Sequence, residues 1–282
     1  MKKKREFVVK EDSNIIDYLK EYGFAKNKVK TYVRLGYIKI NGKVLEKLPY
    51  MVKHGDVIGV EENASLDYAL DIVYEDDNYL IINKEAGLLT ISTSNQNKDR
   101  EDTLYRRVRS YLNGKGEYAF IVNRIDKETS GLVVFAKNER LKEQLQSNWN
   151  EIVKKRGYVA VVSGKILKKG RIDNYLYEDK LTFSHSTKVG GKRAITNYSP
   201  IKVNDKYTML DVNIETGRKN QIRVHMTEMK HPIVGDKKYY SKDNSLKRLA
   251  LHHYEIDFID PITSKLLIFK SEVPNEFHRL FR

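Results

Sequence analysis

Residues 122–138 read VNRIDKETSGLVVFAKN and place Asp126 shortly before the unbroken apolar run Leu132–Ala136. The run is rich in β-branched and aromatic side chains, which predicts a strand buried within a sheet. The Thr-Ser-Gly triplet between them is typical of a turn. An aspartate at the entrance to a buried strand either caps that turn or serves a chemical purpose, and the local pattern leaves both interpretations open.

The composition is that of a globular protein with a heavily charged surface. Of 282 residues, 40% are hydrophobic and 32% charged, which suffices for one large domain or for a domain of about 200 residues with a small companion. No stretch approaches about eighteen apolar residues and the N-terminus lacks the core of a secretory signal, so we expect a cytoplasmic protein without a membrane segment. The absence of cysteine fits a reducing compartment and excludes a cysteine nucleophile.

The first sixty residues predict a small domain of two helices and a hairpin. The segments NIIDYLKEY (14–22) and KNKVKTYVRLG (26–36) have helical periodicity and each is followed or ended by glycine. YIKINGKVLE then alternates apolar and polar residues around Asn41-Gly42, a strong hairpin signal, and HGDVIGV predicts one more strand.

This small domain carries half of the excess positive charge of the chain. The chain has a net charge of +14, and residues 1–60 hold fourteen basic against seven acidic residues, a net charge of +7. That balance favours nucleic acid as the partner over a membrane. The basic residues expected to follow a phosphate backbone are Lys26, Lys28, Lys30, Arg34, Lys39 and Lys43. A merely solvated face is the alternative, but the order of elements resembles the small RNA-binding domain shared by a ribosomal small-subunit protein and several RNA-modifying enzymes.

The remainder predicts an α+β body with a mixed, mainly antiparallel central sheet and flanking helices. Strand patterns dominate, and DTLYRRVRSYL and NERLKEQLQSNW are amphipathic helices. The acidic segment 61–70 suits a linker. We therefore divide the chain into a basic domain with an N-terminal tail (1–63), a linker (64–70) and a larger α+β domain (71–282).

Phosphate-loop and dinucleotide fingerprints are absent, so the sequence does not support ATP or NAD chemistry. The histidines form no pair at metal-binding helical spacing with a nearby acid, and packing and hydrogen bonding are their expected roles. We expect neither a metal nor a cofactor.

A second basic cluster bears on Asp126. Residues 215–226, ETGRKNQIRVHM, alternate so that a strand would place Arg223 and His225 opposite the apolar side chains. An arginine presented in this way needs an anion, and Asp126 is the obvious buried one.

Taken together, four blocks resemble the RluA family of pseudouridine synthases over most of residues 71–282. They are EDDNYLIINKEAGLLT, NRIDKETSGLVVFAK, KKRGYVAVVSGKI, and TGRKNQIRVHMTEMKHPIVGDKKYY with LALHHYEIDFIDP. The Arg-x-Asp-x-x-Thr-Ser-Gly core and the Gly-Arg-x-x-Gln-Ile-Arg-x-His string are specific, and they occur in the order the family has.

The resemblance implies a role for each matching residue. Asp126 would be the nucleophile, Tyr158 the ring stacked on the target base, and Arg223 the cation that keeps Asp126 ionised. Arg124 would lie beside the flipped nucleotide, with Arg218, Asn220 and Gln221 of the closing block also binding substrate. The chain departs from the family's usual residues at Asn123 and Asn220, where histidine is common, and at Glu85, where proline is common.

The sequence thus predicts a monomeric RNA pseudouridine synthase that modifies large-subunit ribosomal RNA, with transfer RNA as the second choice of substrate. An RNA-binding protein without catalysis, acting in ribosome assembly, is the alternative from another class. A hydrolase that pairs Asp126 with Glu128 is a weaker one, because these two acids lie only two residues apart in a turn.

Overall fold

The computed structural model describes residues 3–34, 37–62, 70–92, 102–113, 115–179, 183–187, 190–239, 241, 243 and 245–282. The chain divides into two compact units. The first holds the described residues up to Glu62 together with Arg109–Gly116, and the second holds the others. None of the helices in the described part of the chain has the length and apolar composition needed to span a bilayer.

The first unit packs two helices against a small antiparallel sheet in which the strands Lys3–Val8, Val57–Glu62, Ile38–Ile40 and Lys43–Val44 are neighbours in that order. Asn14 caps the first helix by accepting a hydrogen bond from Ile16 N–H at 3.0 Å. The predicted hairpin turn is present, with positive φ at Asn41 and Gly42. The elements are β1 (Lys3–Val8), β2 (Ser13–Asn14), α1 (Ile15–Glu21), α2 (Lys26–Arg34), β3 (Ile38–Ile40), β4 (Lys43–Val44), β5 (Met51–Val52) and β6 (Val57–Glu62).

Strand β1 differs from the expected N-terminal tail. It pairs antiparallel with β6 from Lys3↔Glu62 to Val8↔Val57. Its basic residues conceal the strand pattern, because an edge strand tolerates charged side chains that a central strand does not.

The second unit is built on an eleven-stranded sheet. The strands are β7 (Ile72–Glu75), β8 (Tyr79–Lys84), β9 (Phe120–Ile121), β10 (Ser130–Ala136), β11 (Val153–Ser163), β12 (Gly170–Glu178), β13 (Ser184–Thr187), β14 (Lys192–Val203), β15 (Tyr207–Ile214), β16 (Leu251–Ile259) and β17 (Leu266–Lys270). Their order in the sheet is β13-β12-β14-β15-β11-β16-β10-β8-β7, with β17 paired to β16 and β9 paired to β10. The helices are α3 (Leu104–Asn113), of which only Leu104–Val108 belongs to this unit, α4 (Glu139–Ser147), α5 (Trp149–Ile152), α6 (Gln221–Glu228) and α7 (Asn275–Arg279).

The sheet is mixed, as predicted, and β10 is the strand that makes it so. All seven residues of β10 are buried, which explains its continuous apolar run. It pairs antiparallel with β8 and parallel with β16, through Ser130↔His252 and Gly131↔His253. The α+β class is therefore confirmed, and the turn that carries Asp126 leads into the strand at this parallel junction.

Gly131 allows β10 and β16 to approach. Its φ is +116°, and a Cβ added there would lie 2.2 Å from the carbonyl oxygen of His253. Any other residue would therefore meet both backbone strain and a direct clash.

One predicted strand is a helix. The alternation in residues 215–226 predicted a strand with Arg223 and His225 on one face, but the segment forms α6. All residues from Gln221 to Met226 are buried. Because the helix is enclosed on every side, it has no polar face and hence no helical periodicity for the sequence to show.

Three histidines are buried and neutral around this framework. Burial lowers the pKa of His225 to about 4, of His252 to about 3 and of His253 to about 4. His253 Nδ1 donates to the Leu132 carbonyl at 2.7 Å, and Ser130 Oγ lies 2.7 Å from His252 Nδ1. The histidines thus serve the packing and hydrogen-bonding role expected of them.

We expect Gly131→Ala to destabilise the second unit by several kcal/mol, because the new methyl group meets backbone that cannot withdraw. Gly87→Ala is the matched control: Gly87 also has positive φ, +86°, but nothing lies within 4 Å of its added Cβ. That variant should lose only about 1 kcal/mol. Urea unfolding followed by the fluorescence of Trp149, the single tryptophan, reports on this unit. Equal losses in the two variants would contradict the clash.

Acid should destabilise the protein through the three histidines. Their folded pKa values lie below the ordinary value of about 6.5, so the unfolded chain takes up protons first as the pH falls. The contribution of these histidines to the free energy of unfolding is fully present above about pH 6.5 and decreases as the pH falls toward about 4. For each histidine the free energy of unfolding changes by up to about 1.4 kcal/mol per pH unit.

His253→Phe keeps an aromatic ring at this position and removes one titrating group, so the slope should decrease by up to one such increment. Urea unfolding between pH 6.5 and 4.5 measures the slope of the free energy of unfolding against pH, with His278→Gln in α7 as the control. An unchanged slope for His253→Phe would show that His253 is not held neutral.

Candidate active site

A cavity of about 870 Å³ opens in the second unit. Its walls come from the turn before β10, from β11 and β15, from the start of α6 and from the loop between α6 and β16. It brings together residues that the sequence singled out from distant segments: Arg124, Asp126, Tyr158, Arg218, Asn220, Gln221 and Arg223.

Asp126 lies in the turn before β10, where its carbonyl accepts a hydrogen bond from Thr129 N–H at 3.2 Å. Its side chain is 29% exposed and lines the cavity. Burial raises the pKa of the carboxyl group, and the cations Arg223, Lys238 and Lys84 pull the pKa down. The net direction is upward, so the ionised carboxylate is a stronger base than an ordinary aspartate.

Arg223 does not pair chiefly with Asp126. Its Nε and Nη2 donate to the two carboxylate oxygens of Asp236 at 2.8 and 2.7 Å, and its Nη1 donates to Asn220 Oδ1 at 2.9 Å. The separation between Arg223 Nη1 and Asp126 Oδ2 is 3.9 Å, which is ion-pair distance without a hydrogen bond. The predicted pair is thus a secondary contact of an arginine already held by Asp236.

Sequence reasoning missed Asp236 and Lys84. Asp236 stands in the quoted block KHPIVGDKKYY, and a buried arginine next to several acids is a signal that more than one of them should be considered. Lys84 ends β8 and is buried, with Nζ donating to the carbonyls of Glu85, Leu88 and Lys127 at 2.9, 2.7 and 3.1 Å. Burial lowers its pKa to about 7.

Tyr158 lies on β11 and is only 8% exposed. Its ring stacks on the imidazole of His253, with centroids 4.4 Å apart and planes inclined by 19°. Burial raises the pKa of the phenol, so the ring is neutral at physiological pH. The cavity therefore has a fixed aromatic wall near Asp126.

Asn220 and Gln221 begin helix α6 in different ways. Asn220 has φ +55° and is 5% exposed, and its Nδ2 finds no hydrogen-bond acceptor among the described residues. The amide of Gln221 is fully used: Nε2 donates to Ile195 O and Thr196 Oγ1, and Oε1 accepts from Thr216 Oγ1 and the Arg218 N–H. Gln221 lines the cavity, but the hydrogen-bonding groups of its side chain are already occupied by the protein, so its predicted contact with substrate stays a prediction.

Several cations at the cavity have no carboxylate partner within the described ranges. They are Arg124, Lys127, Lys237 and Lys247. Arg218 Nε donates to the carbonyl of Arg193 at 2.8 Å. Elsewhere on the sheet, by contrast, arginines are held by acids, as Arg193 is by Asp173 at 2.6 Å. The cavity thus presents positive charge that the protein itself does not neutralise.

The two remaining departures from the family pattern have local roles. Asn123 Oδ1 accepts a hydrogen bond from Val134 N–H at 2.7 Å. Glu85 Oε1 accepts from the buried Arg107 at 2.8 Å, where a proline could make no such bond. Neither change alters Asp126, Tyr158 or Arg223.

The basic residues of the first unit that were predicted to contact RNA lie on α2 and the following hairpin. Lys26, Lys28, Lys30 and Lys43 are exposed and Lys39 is half-buried. Lys28 Nζ packs 5.0 Å from the ring centre of Phe24. The side chain of Arg34 lies outside the described residues.

Comparison with known proteins bears on both units. The model of the RNA pseudouridylate synthase family matches residues 78–228, and that of the S4 domain matches residues 15–58. An uncharacterised RNA pseudouridine synthase of Bacillus subtilis is 33% identical over 87% of this chain and 84% of its own. The ribosomal large subunit pseudouridine synthase D of Zymomonas mobilis is 33% identical over 78% and 74%.

Further relatives widen the range of substrates and show the fold. The transfer RNA pseudouridine synthase C of Vibrio parahaemolyticus is 30% identical over 75% of this chain and 94% of its own. The structure of human RNA pseudouridylate synthase domain containing 4 is 21% identical, covers 74% of this chain and 92% of its own, and has a TM-score of 0.59. The family match, the relatives and the fold agree with the predicted resemblance: this chain belongs to the RNA pseudouridine synthase family, with an N-terminal S4 domain, and is an isomerase that acts on RNA.

Proposed function

We propose that Asp126 is the nucleophile with which this enzyme converts uridine to pseudouridine in large-subunit ribosomal RNA. The observation that carries the proposal is the position of the Asp126 carboxylate: it lines a cavity with the stacked ring of Tyr158 and lies 3.9 Å from the Arg223 guanidinium. A carboxylate needs to be ionised to attack, and a neighbouring cation favours the ionised form.

The isomerisation requires no oxidant and no added chemical group. The bond between N1 of the base and C1′ of the ribose breaks, a bond from C5 to C1′ forms, the hydrogen on C5 is lost as a proton, and N1 takes up a proton, so that product and substrate are isomers. Asp126 could attack either the base or the sugar. Each reaction requires an ionised carboxylate beside a fixed ring. Because there is no net oxidation or group addition, the side chains of the cavity are sufficient in kind.

The target base reaches Asp126 only after it leaves its stack in the RNA. That step costs a few kcal/mol, and stacking on an aromatic ring and contacts to phosphate offset it. Tyr158 provides the ring. Arg124 and Arg218 are suited to phosphate or base contacts, and the unpartnered Nδ2 of Asn220 is suited to donate to a carbonyl oxygen of the nucleotide.

The choice of ribosomal RNA rests on the relatives. Several that cover at least three quarters of this chain are named ribosomal large subunit pseudouridine synthase D, and one is named for transfer RNA. Transfer RNA is therefore the second candidate. We further propose that the enzyme is active as a monomer, because Asp126, Tyr158 and Arg223 of one chain meet in the same cavity.

Asp126→Asn should abolish turnover and leave RNA affinity within a few-fold, because an amide keeps the shape of the carboxylate but cannot attack. Tritium release from 5-tritiated transcripts of large-subunit ribosomal RNA and of transfer RNA measures turnover. Glu128→Gln is the matched control, since Glu128 lines the same cavity two residues away. Appreciable turnover by Asp126→Asn would reject the nucleophile, and loss of activity in Glu128→Gln would favour paired acids instead.

The lysines of the S4 domain should contribute to affinity and not to chemistry. Lys26, Lys30 and Lys43 are exposed, and replacing all three by glutamine should reduce the slope of log affinity against log salt by about 2 to 3. Turnover should fall at limiting RNA much more than at saturating RNA, because these contacts are equal in the ground and transition states.

The control for this experiment replaces Lys10, Lys20 and Lys53, which are also exposed in the first unit but lie outside α2 and the hairpin. Salt titrations of both triple variants against the parent protein decide the matter. Equal slopes in the two triple variants would mean that α2 and the hairpin do not form the RNA-binding face.

A further inference from the structure

The guanidinium of Arg223 is committed to partners other than the proposed nucleophile. Arginine has five N–H donors. Two nitrogens, Nε and Nη2, face the Asp236 carboxylate side-on, and Nη1 donates to Asn220 Oδ1. Asp126 lies at 3.9 Å, beyond hydrogen-bond distance. The arginine is therefore one cation between two carboxylates, and it is bound tightly to only one of them.

Asp236 itself is held rigidly. Its side chain is fully buried, and its Oδ1 also accepts from the backbone N–H groups of Lys238 and Tyr239, each at 3.1 Å. The preceding Gly235 has φ +75°, and an added Cβ would lie 2.1 Å from the carbonyl oxygen of Arg248. Only glycine fits there, so the backbone fixes where the Asp236 carboxylate is presented.

This arrangement changes the charge that Asp126 experiences. A bidentate pair between Arg223 and Asp236 has no net charge, so at Asp126 it acts as a dipole and not as a full cation. The other charged or titratable groups that face Asp126 are Lys84, Lys238, Tyr158 and Tyr239. The two tyrosines are neutral, because burial raises the pKa of each phenol.

The two lysines also lower the pKa of Asp126, but burial disfavours the charged form of each lysine. Lys84 donates to three backbone carbonyls, and burial lowers its pKa to about 7. The pKa of Lys238 is also lowered, by burial and by its neighbour Arg223. The raised pKa of Asp126 agrees with a carboxylate whose negative charge is only partly offset by nearby cations.

We propose that Asp236 is a positioning residue of the reaction: it holds Arg223 at a fixed distance from Asp126 and withdraws part of its charge, so that Asp126 keeps the basicity a nucleophile needs. This inference rests on the proposed role of Asp126. A carboxylate that is fully paired is easily ionised but is a poor nucleophile, and an unpaired one in a buried site takes up a proton. Sharing one arginine between two acids places Asp126 between these extremes.

The test is the ionisation of Asp126 with and without the charge of Asp236. In protein labelled with carboxyl-13C aspartate, the Asp126 resonance is assigned by its loss in Asp126→Asn and followed against pH without any RNA. Asp236→Asn removes one negative charge and frees Arg223 for Asp126, so the Asp126 titration should move to lower pH by about one unit. The acid limb of kcat/KM on the tritiated transcripts should move in the same direction, with a reduced plateau.

Two further variants separate position from charge and from stability. Asp236→Glu keeps the charge but cannot keep the side-on geometry, so its Asp126 titration should stay near that of the parent while turnover falls at least several-fold. Asp260→Asn is the matched control: Asp260 is also buried, accepts a hydrogen bond from Tyr79 at 2.6 Å, and does not line the cavity. It should lose stability without moving the Asp126 titration.

The outcomes distinguish the inference from the function it rests on. Turnover by Asp126→Asn would reject the nucleophile whatever Asp236 does. If Asp126→Asn is inactive but Asp236→Asn leaves the Asp126 titration and the acid limb unmoved, Asp236 only supports the fold and the inference is wrong. Should Asp236→Asn not yield folded protein, Asp236→Glu decides: full turnover, or a titration displaced as far as one pH unit, would overturn the proposal.

Discussion

The parallel ladder between β10 and β16 is the contact on which the rest of the catalytic unit depends. It joins two antiparallel blocks of the sheet, β13-β12-β14-β15-β11-β16 and β10-β8-β7, through only two residue pairs. Asp126 enters from the β10 side, whereas Tyr158 on β11 and Arg223 on α6 come from the other side. The cavity exists because the two blocks meet, and Gly131 permits the close approach at which they do so.

The site at that junction combines two electrostatic requirements that oppose each other. A nucleophilic carboxylate has to be dry enough to be reactive and yet stay ionised. Burial desolvates Asp126, the proposed nucleophile, and Arg223, which is held mainly by Asp236, lies close enough to favour its ionised form. Lys237 and Lys247, which have no carboxylate partner among the described residues, are exposed at the cavity and suit a polyanion.

Much of this could be predicted from sequence, and the exceptions have physical causes. The apolar run after Asp126 predicted a buried strand, and the Asn41-Gly42 pair predicted a hairpin, because each depends on local chemistry. Helix α6 was missed because a helix buried on all sides has no amphipathic period. Asp236 was missed because choosing between two acids for one arginine requires distances, which depend on how distant segments pack. The fully bonded amide of Gln221 could not be recognised for the same reason.

The long-range nature of the junction also has a kinetic consequence. Ser130 and His252, which meet there, are 122 residues apart in the chain. Contacts of such high sequence separation require a large loop to close before any stabilising interaction is gained, and folds that depend on them form slowly. During synthesis the β10 block therefore leaves the ribosome well before its partner strand exists. Asp126, the proposed nucleophile, and Arg223 become neighbours only when nearly the whole chain is available, so activity should appear late in folding.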